Sequence, residues 1–536
     1  MLTSIIVLSG NVGAGKTTLA NLLIDRFGAV HIKTHNLLTA LGRNIPQERA
    51  ALQNFGEMLD RKTKGAWVRD GLQRRLRELP NESLVVLDSV RIAKQIEALR
   101  ASYGRKVVHV HLTADLSVLR TRYSERINPA LKELPSYSAV RKNETESRID
   151  ELAKISDVLI RTDRSTPDDV LVRVASHVGL YGRESRKLVD VIVGGAYGSE
   201  GKGQIAAYLA PEYDLLLRVG GPNAGHSVYE VPRPYVFHHL PSGTRISNAN
   251  LVIGPGAVLY VPQLQREISE CRVSYDRLSI DPQAMIISES DKKKEARLQQ
   301  MIGSTGSGVG FATARRVSNR GISSTRLARD VRELRPFVRS TRLVLEDAFR
   351  AGKRVLLEGT QGTGLSLFHG DYPHVTSRDT TVAGCLAEAG IAPTRVRKVV
   401  LVCRTYPIRV EDPPKKGFTS GPMSAEITWD IVAKRSGHKL TELKQNERTS
   451  TTNRRRRVGE FEWTLLRKAA SLNAPSDIAL TFADYITKEN QKARRVDQLS
   501  DETIRFIEEI ERVTNSPVSL IATRFHSRSV IDRRSW

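Results

Sequence analysis

Short apolar runs, each the length of a strand, recur along the whole chain and are separated by amphipathic or polar stretches. The longest, around Val85–Leu87 and Val399–Cys403, fall far short of the roughly 20 residues of a membrane span. In the first third, strands are predicted at Ser4–Ser9, Leu84–Leu87, Val107–Leu112 and Asp157–Ile160. Leu19, Leu22, Leu23 and Phe27 recur at helical spacing after the first of them. Such alternation implies a parallel sheet covered on both faces. Further strands are predicted at Val189–Val193 and near Leu215–Val219, Leu251–Ile253, Val355–Leu357, Val399–Val402, Ile478–Leu480 and Val518–Ile521, which makes the remainder α/β as well. Twice a short strand runs through a glycine-rich turn into a helix, at Gly10–Thr17 and at Gly194–Gly203. The polar stretch Gly179–Lys187 between them reads as a linker. The expected organisation is a unit over residues 1–180, a linker over 181–188 and a larger unit over 189–536.

Composition narrows the classes. Of 536 residues, 40% are hydrophobic and 26% charged, which excludes global disorder. Lys plus Arg minus Asp plus Glu is 83 − 59 = +24, suited to nucleotides or to a nucleic-acid surface. Cys271, Cys385 and Cys403 form no CxxC, which excludes a disulfide framework and a cysteine zinc site. A soluble, reduced, cytoplasmic protein is expected, with no membrane partner.

Gly10-Asn-Val-Gly13-Ala-Gly15-Lys16-Thr17 is a full Walker A pattern in strand–turn–helix context. Its glycines let backbone N–H groups curl around phosphate oxygens, Lys16 reaches the outer phosphates, and the Thr17 hydroxyl suits Mg²⁺. Asp88, ending the strand LVVL, suits a magnesium-bound water or a substrate hydroxyl, or is a strand-end turn residue. Arg120, Arg122 and Arg126 form a basic group fit to clamp a phosphoryl group, or a solvated helix face. With VVLDSVR, VHLTAD and SDVLIRT, this segment resembles the small P-loop nucleotide kinases over about residues 1–178. The resemblance implies a P-loop NTPase-type parallel sheet and a kinase-like domain. The run KTHNLL near residue 35 departs from the acidic residue often found there.

In the second segment GGAYGSEGKG is followed by RVGGPNAGH, PSG, GSTGSGVG, EGTQGT, HVTS and TTNRRRR. Together these resemble the adenylosuccinate synthetase family over about residues 189–532. The resemblance implies a two-step ligation in which ATP or GTP, with Mg²⁺, phosphorylates the 6-oxygen of a purine nucleoside monophosphate and L-aspartate displaces that phosphate. It implies a homodimer too. Carried over residue by residue, Gly201, Lys202 and Gly203 hold the donor phosphates. His226 acts as acid at the transfer step, beside Asn223, and the Gly225 carbonyl reaches Mg²⁺. Gln361 bonds the 6-oxygen, and Thr305 and Thr376 hold the monophosphate. Thr451, Thr452, Arg454 and Arg456 grip aspartate, and Asp484 reads the donor base.

Ser199 is the telling departure, standing where the family has an aspartate that takes the N1 proton of IMP and helps bind Mg²⁺. A serine hydroxyl has no useful basicity near neutral pH. Its smaller size makes room for the 2-amino group of guanine and offers it an acceptor. The same exchange marks phage synthetases that act on dGMP, toward 2-aminoadenine nucleotides. Asn453 replaces a glycine, and Phe482 a lysine that packs on the donor base, so ATP is admitted beside GTP. Near the arginine expected to cross a dimer interface lie Asn319, Arg320 and Arg315–Arg316. The alternatives are an IMP-using synthetase, and a nucleotide sensor or nucleic-acid-binding protein without ligase chemistry.

Overall fold

A computed structural model describes residues 4–41, 49–80, 83–125, 136–138, 148–181, 186–321 and 325–536. The chain divides into two compact units, Met1–Gly182 and Arg183–Trp536. Among the described residues no helix is long and apolar enough to cross a membrane.

The first unit is built on a five-stranded parallel sheet in the spatial order Val30–Lys33, Leu84–Asp88, Ser4–Gly10, Val107–Thr113, Val158–Arg161. Strand parity divides its core. Ile6 and Leu8 pack with Leu19 and Leu23 of the helix Lys16–Phe27 and with Val170 and Val174 of the helix Pro167–His177. Ile5 and Val7 face the other way, onto Trp67, Val68 and Leu72 of Ala66–Leu76 and Ile96 and Leu99 of Ala93–Tyr103. The helix Pro167–His177 starts where its sequence says it should, with proline at its first position and the Thr166 hydroxyl accepting from Asp169 N at 3.2 Å. The edge strand Val30–Lys33 and the helix Arg49–Thr63 were not predicted; four residues reading VHIK carry too little alternation to announce a strand.

The second unit holds a nine-stranded sheet: Leu278–Ile280, Asn250–Ile253, Leu215–Arg218, Val355–Glu358, Val189–Gly194, Val396–Arg404, Asp477–Thr481, Val518–Ala522 and Val530–Asp532. Only the last pair is antiparallel. Its strands are buried on both faces, which is why they read as continuous apolar runs. Val191, Leu217, Leu357 and Leu401 supply one core; Ile192, Leu216, Leu356 and Val400 supply the other. Val189–Gly194 lies centrally, with strands formed later in the chain on either side. That puts the Gly194–Gly201 loop at the carboxyl end of the sheet near its switch point, where open α/β sheets bind ligands. A small antiparallel sheet, Ile408–Val410, Arg456–Gly459 and Glu426–Ile427, presents the arginine run.

Candidate active site

In the first unit the phosphate loop is shaped by close approach. At Gly10, with φ of 130°, a Cβ would lie 2.0 Å from the Leu112 carbonyl oxygen. Lys16 Nζ donates to the loop's own carbonyls, Gly10 O at 2.7 Å and Asn11 O at 2.9 Å. Gly13 and Gly15 also have positive φ, and Thr17 stands exposed at the helix start. Asp88 is buried. Burial alone would raise its pKa, but the hydrogen bond from His31 at 3.3 Å and the Lys16 charge outweigh it and hold the carboxyl below its ordinary value. Arg122 donates to Thr162 Oγ1 at 2.9 Å and to Gly13 O at 3.4 Å, so it braces the loop, while Arg120 is exposed. Arg126 lies outside the described residues. Ser9 Oγ joins two buried histidines, His109 Nε2 at 2.7 Å and His111 Nδ1 at 2.8 Å. Burial pushes both imidazoles down to about 4.

In the second unit a cavity of about 1130 Å³ opens at the carboxyl end of the sheet. Of the residues singled out in this unit from the sequence, Arg454, Asn453 and the group Arg315, Arg316, Asn319 and Arg320 do not line it; the residues assigned to the nucleotides, and Thr451, Thr452 and Arg456, do. Its floor is the loop into the helix Lys202–Leu209, capped by Gly201 at φ 85°. The buried Glu200 accepts from Ala196 N at 3.1 Å, Gly198 N at 2.8 Å and Lys202 Nζ at 2.6 Å. Lys202 is thus buried and already paired.

Four groups line the walls. First, His226 Nδ1 is hydrogen-bonded to Glu358 Oε1, and Glu358 also accepts from Ser242 N at 2.8 Å and from the Ser242 hydroxyl. Burial, then the Arg218 charge, pushes His226 down to about 4, while its partner Glu358 is held at about 2 against burial by His226 and Arg218. The ring is therefore neutral at neutral pH, with Nδ1–H given to Glu358 and Nε2 left for a ligand. Arg218 donates to Ala224 O at 2.6 Å and Leu240 O at 3.1 Å, which fixes the loop carrying Asn223, Gly225 and His226.

Second, the Gln361 amide and the Asn223 amide both donate to Thr376 Oγ1, at 3.2 and 3.4 Å. Gln361 has a φ of 61°, an uncommon conformation for a residue with a side chain. Asn223 Oδ1 is buried without a partner. Thr305 Oγ1 is 2.9 Å from Ser307 Oγ.

Third, Arg456 gives Nη1 to Glu447 Oε2 at 2.8 Å and Nη2 to Ser199 Oγ at 3.2 Å. Thr451 and Thr452 share this wall, and Thr452 Oγ1 lies 2.8 Å from Thr449 Oγ1. Ser450 Oγ donates to Gly225 O at 3.0 Å, a contact not read from the sequence. Arg454 is turned elsewhere: it donates to Glu411 O at 2.7 Å and Gly303 O at 3.4 Å. The turn at Asn453, φ 52°, precedes both arginines, and only Arg456 belongs to the strand Arg456–Gly459.

Fourth, Asp484 Oδ2 accepts from Gln491 Nε2 at 2.9 Å while its Oδ1 is buried without a partner. Phe482, at φ 56°, carries the Arg404 guanidinium 4.1 Å from its ring centre. Away from the cavity, Arg315 is paired with Asp291 at 2.6 Å and Arg316 donates to Gln283 O at 2.8 Å, whereas Arg320 is exposed. Sequence reasoning missed the roles of Glu200, Glu358, Glu447 and Arg218, whose partners lie between 2 and more than 100 residues away.

A glycine loop on a helix N-terminus, a carboxylate-backed histidine and a guanidinium facing one cleft suit a nucleotide-dependent ligase. Comparison with known proteins agrees. The adenylosuccinate synthetase family model matches residues 191–332 and 323–491, and the chain belongs to that family. The adenylosuccinate synthetase of Thermococcus onnurineus is 37% identical over 354 residues, 64% of this chain and 98% of the relative. That of Methanocaldococcus jannaschii is 36% identical over 353 residues, 64% of this chain and 96% of its own. The fully ligated Plasmodium falciparum adenylosuccinate synthetase superposes with a TM-score of 0.56 at 22% identity, over 65% of this chain and all of that one, and shares the fold. The cyanophage S-2L succinoaminodeoxyadenylate synthetase (PurZ), solved with dGMP and with dATP as energy donor, gives 0.54 at 28% identity, over 65% of this chain and 96% of that one.

Proposed function

We propose that the second unit joins L-aspartate to C6 of a guanine-type nucleoside monophosphate, dGMP or GMP, at the expense of a nucleoside triphosphate. The N1 proton passes to solvent water as the 6-oxygen attacks the terminal phosphorus and the nucleoside diphosphate leaves; the aspartate nitrogen then attacks C6, gives up a proton to solvent, and the C6–O bond breaks to release phosphate. The observation that carries the reading is Ser199. Its hydroxyl lies in the cleft wall against Arg456, with a lone pair left for the exocyclic amino group that guanine carries and hypoxanthine lacks. The likeness to a synthetase solved with dGMP supports the same choice. Gln361, Asn223 and Thr376 hold the purine and its phosphate, and Arg456 with Thr451 and Thr452 binds aspartate. Neutral His226 gains a proton as a polyphosphate docks, because the anion favours the imidazolium.

Mg²⁺ neutralises the phosphates in such a transfer. The ligase cleft offers it neutral oxygens, Ser199 Oγ and the Gly225 carbonyl, with Glu200 committed to Lys202. That donor set fits a metal arriving on the triphosphate rather than a resident ion. Phe482 and the half-satisfied Asp484 admit ATP-type donors beside GTP.

For the first unit, the bent loop, Lys16, the exposed Thr17 and an ionised Asp88 fit a magnesium nucleotide, and we read it as a nucleotide kinase-like domain. The second unit is read as a homodimer, with Arg320 as the arginine free to reach a partner's site. The test is one incubation of the protein with Mg²⁺, ATP, GTP, L-aspartate and equimolar IMP, dIMP, GMP and dGMP, read by mass spectrometry. A succinyl adduct on a guanine nucleotide is expected; an adduct on IMP or dIMP alone overturns the reading.

A further inference from the structure

One buried carboxylate joins three walls of the ligase cleft. Glu447 Oε1 accepts from Arg404 Nη2 at 3.0 Å and from the Tyr485 hydroxyl at 2.7 Å, while Oε2 accepts from Arg456 Nη1 at 2.8 Å. Both guanidiniums continue to Ser199. Arg404 Nη1 donates to its carbonyl oxygen at 3.1 Å and Arg456 Nη2 to its hydroxyl at 3.2 Å. The result is a closed ring: carboxylate, two arginines, and one serine gripped by both main chain and side chain. Ser199 has a φ of 55°, a conformation that a residue with a Cβ keeps only where its surroundings over-determine it. The same Arg404 stacks on Phe482, next to Asp484 on the donor side.

Charge makes the ring more than a brace. Two guanidiniums meet one carboxylate, and Arg404 is fully buried. Nε of both arginines is buried without a partner. An excess positive charge with unfilled donors, at a cleft that Arg456 lines, calls for an anion. The two guanidiniums outweigh burial and hold the Glu447 carboxyl at about 2, so its charge is constant over the working pH range.

We propose that Glu447 is a positioning residue for ligation, which fixes Arg456 for the aspartate carboxylate and locks it in register with the purine-facing Ser199. The inference rests on the reading of Arg456 as an aspartate-binding residue. Without Glu447, Arg456 keeps its charge but loses its anchor, and the aspartate site pays in order rather than in electrostatics. Arg404 keeps its bond to the Ser199 carbonyl and its place on the Phe482 ring, so binding of the triphosphate is expected to change less than binding of aspartate.

The test uses the full chain and steady-state kinetics. Glu447→Gln is expected to raise the KM for L-aspartate at least about tenfold, while the KM for the nucleoside triphosphate moves less than about threefold. Tyr485→Phe, which removes the third contact without touching either arginine, is expected to leave the aspartate KM within about twofold. Should Glu447→Gln fail to fold, Glu447→Asp, which keeps the charge but draws it back by one methylene, is expected to show the same split in smaller measure. An equal rise in all three substrate KM values, or a fall in kcat with the aspartate KM unchanged, overturns the proposal and leaves Glu447 a structural residue. Arg456→Ala separates the two claims: an unchanged aspartate KM in that variant means the reading of Arg456 itself has failed.

Discussion

The chain carries two glycine loops with the same local geometry and different fates for their lysines. Each runs from a central parallel strand into a helix capped by a left-handed glycine, Gly15 at φ 91° and Gly201 at φ 85°. Each helix opens on a lysine. Lys16 donates to the loop carbonyls of Gly10 and Asn11, neutral acceptors that it can exchange for phosphate oxygens at little cost. Lys202 is buried against Glu200, a partner it cannot leave without stranding a charge. The same backbone turn is therefore built twice with different side-chain pairing. On the proposed reading, the first loop is open to a nucleotide by itself, and in the second, whose lysine is built into the loop, phosphate recognition falls more heavily on backbone N–H groups and the helix end.

The largest expected effect comes from separating the two lysines. Lys202→Met strands Glu200 in a site with no exposure and is expected to cost about 3–5 kcal/mol in stability, along with ligation. Lys16→Met is expected to cost under about 1 kcal/mol and to abolish nucleotide binding by the first unit while ligation persists. Chemical denaturation and nucleotide-binding isotherms of both variants read the contrast; equal destabilisation would break it. Next, Gly10→Ala places a Cβ 2.0 Å from the Leu112 carbonyl and is expected to unfold or displace the first loop. At Gly201 the nearest atom to a Cβ would be a Thr481 methyl at 3.3 Å, so Gly201→Ala is expected to cost about 1–2 kcal/mol, chiefly from its φ. Thermal melting ranks the two.

A pH effect is common to both units. His109 and His111 in the first unit and His239 in the second are buried and pushed down to about 4 by that burial. Their pKa values rise toward 6.5 on unfolding, so between those values the unfolded chain binds protons that the folded chain refuses. Stability is full above pH 6.5 and falls as pH drops toward 4, by at most about 3 kcal/mol per histidine. His111→Asn is expected to flatten that slope in unfolding curves taken from pH 7 to 4.5. The smallest contrast is between two arginines: Arg456→Ala is expected to raise the aspartate KM strongly, whereas Arg454→Ala, outside the cleft, is expected to change it only a few-fold.

Much of the candidate site was legible because motif residues sit on strand ends and tight turns, whose signatures are local. Asn223, His226, Gln361 and Thr376 were named from short runs and meet in one cleft. The partners were not legible. Glu358 stands three residues before Gln361, yet its bond to His226 crosses 132 residues of chain. Glu447 sits just ahead of the threonine–arginine run, and nothing in its spacing announces that it answers Arg404. Arg454 and Arg456 read alike in a run of four arginines, which does not mark that the strand begins only at Arg456 and leaves Arg454 outside it. The edge strand Val30–Lys33 was lost because VHIK mixes polar with apolar residues and is mostly half-exposed, so it forms no apolar run like those of the central strands.

The central claim is that Ser199 sets the purine, and a competition assay tests it most directly. The protein and its Ser199→Asp variant each meet equimolar IMP and dGMP with Mg²⁺, ATP, GTP and L-aspartate, and the ratio of succinyl adducts is read by mass spectrometry. The account predicts an excess of the guanine adduct for the protein and a shift of at least about tenfold toward IMP in the variant. An unchanged ratio would contradict it, and would move the choice of purine to another wall of the cleft.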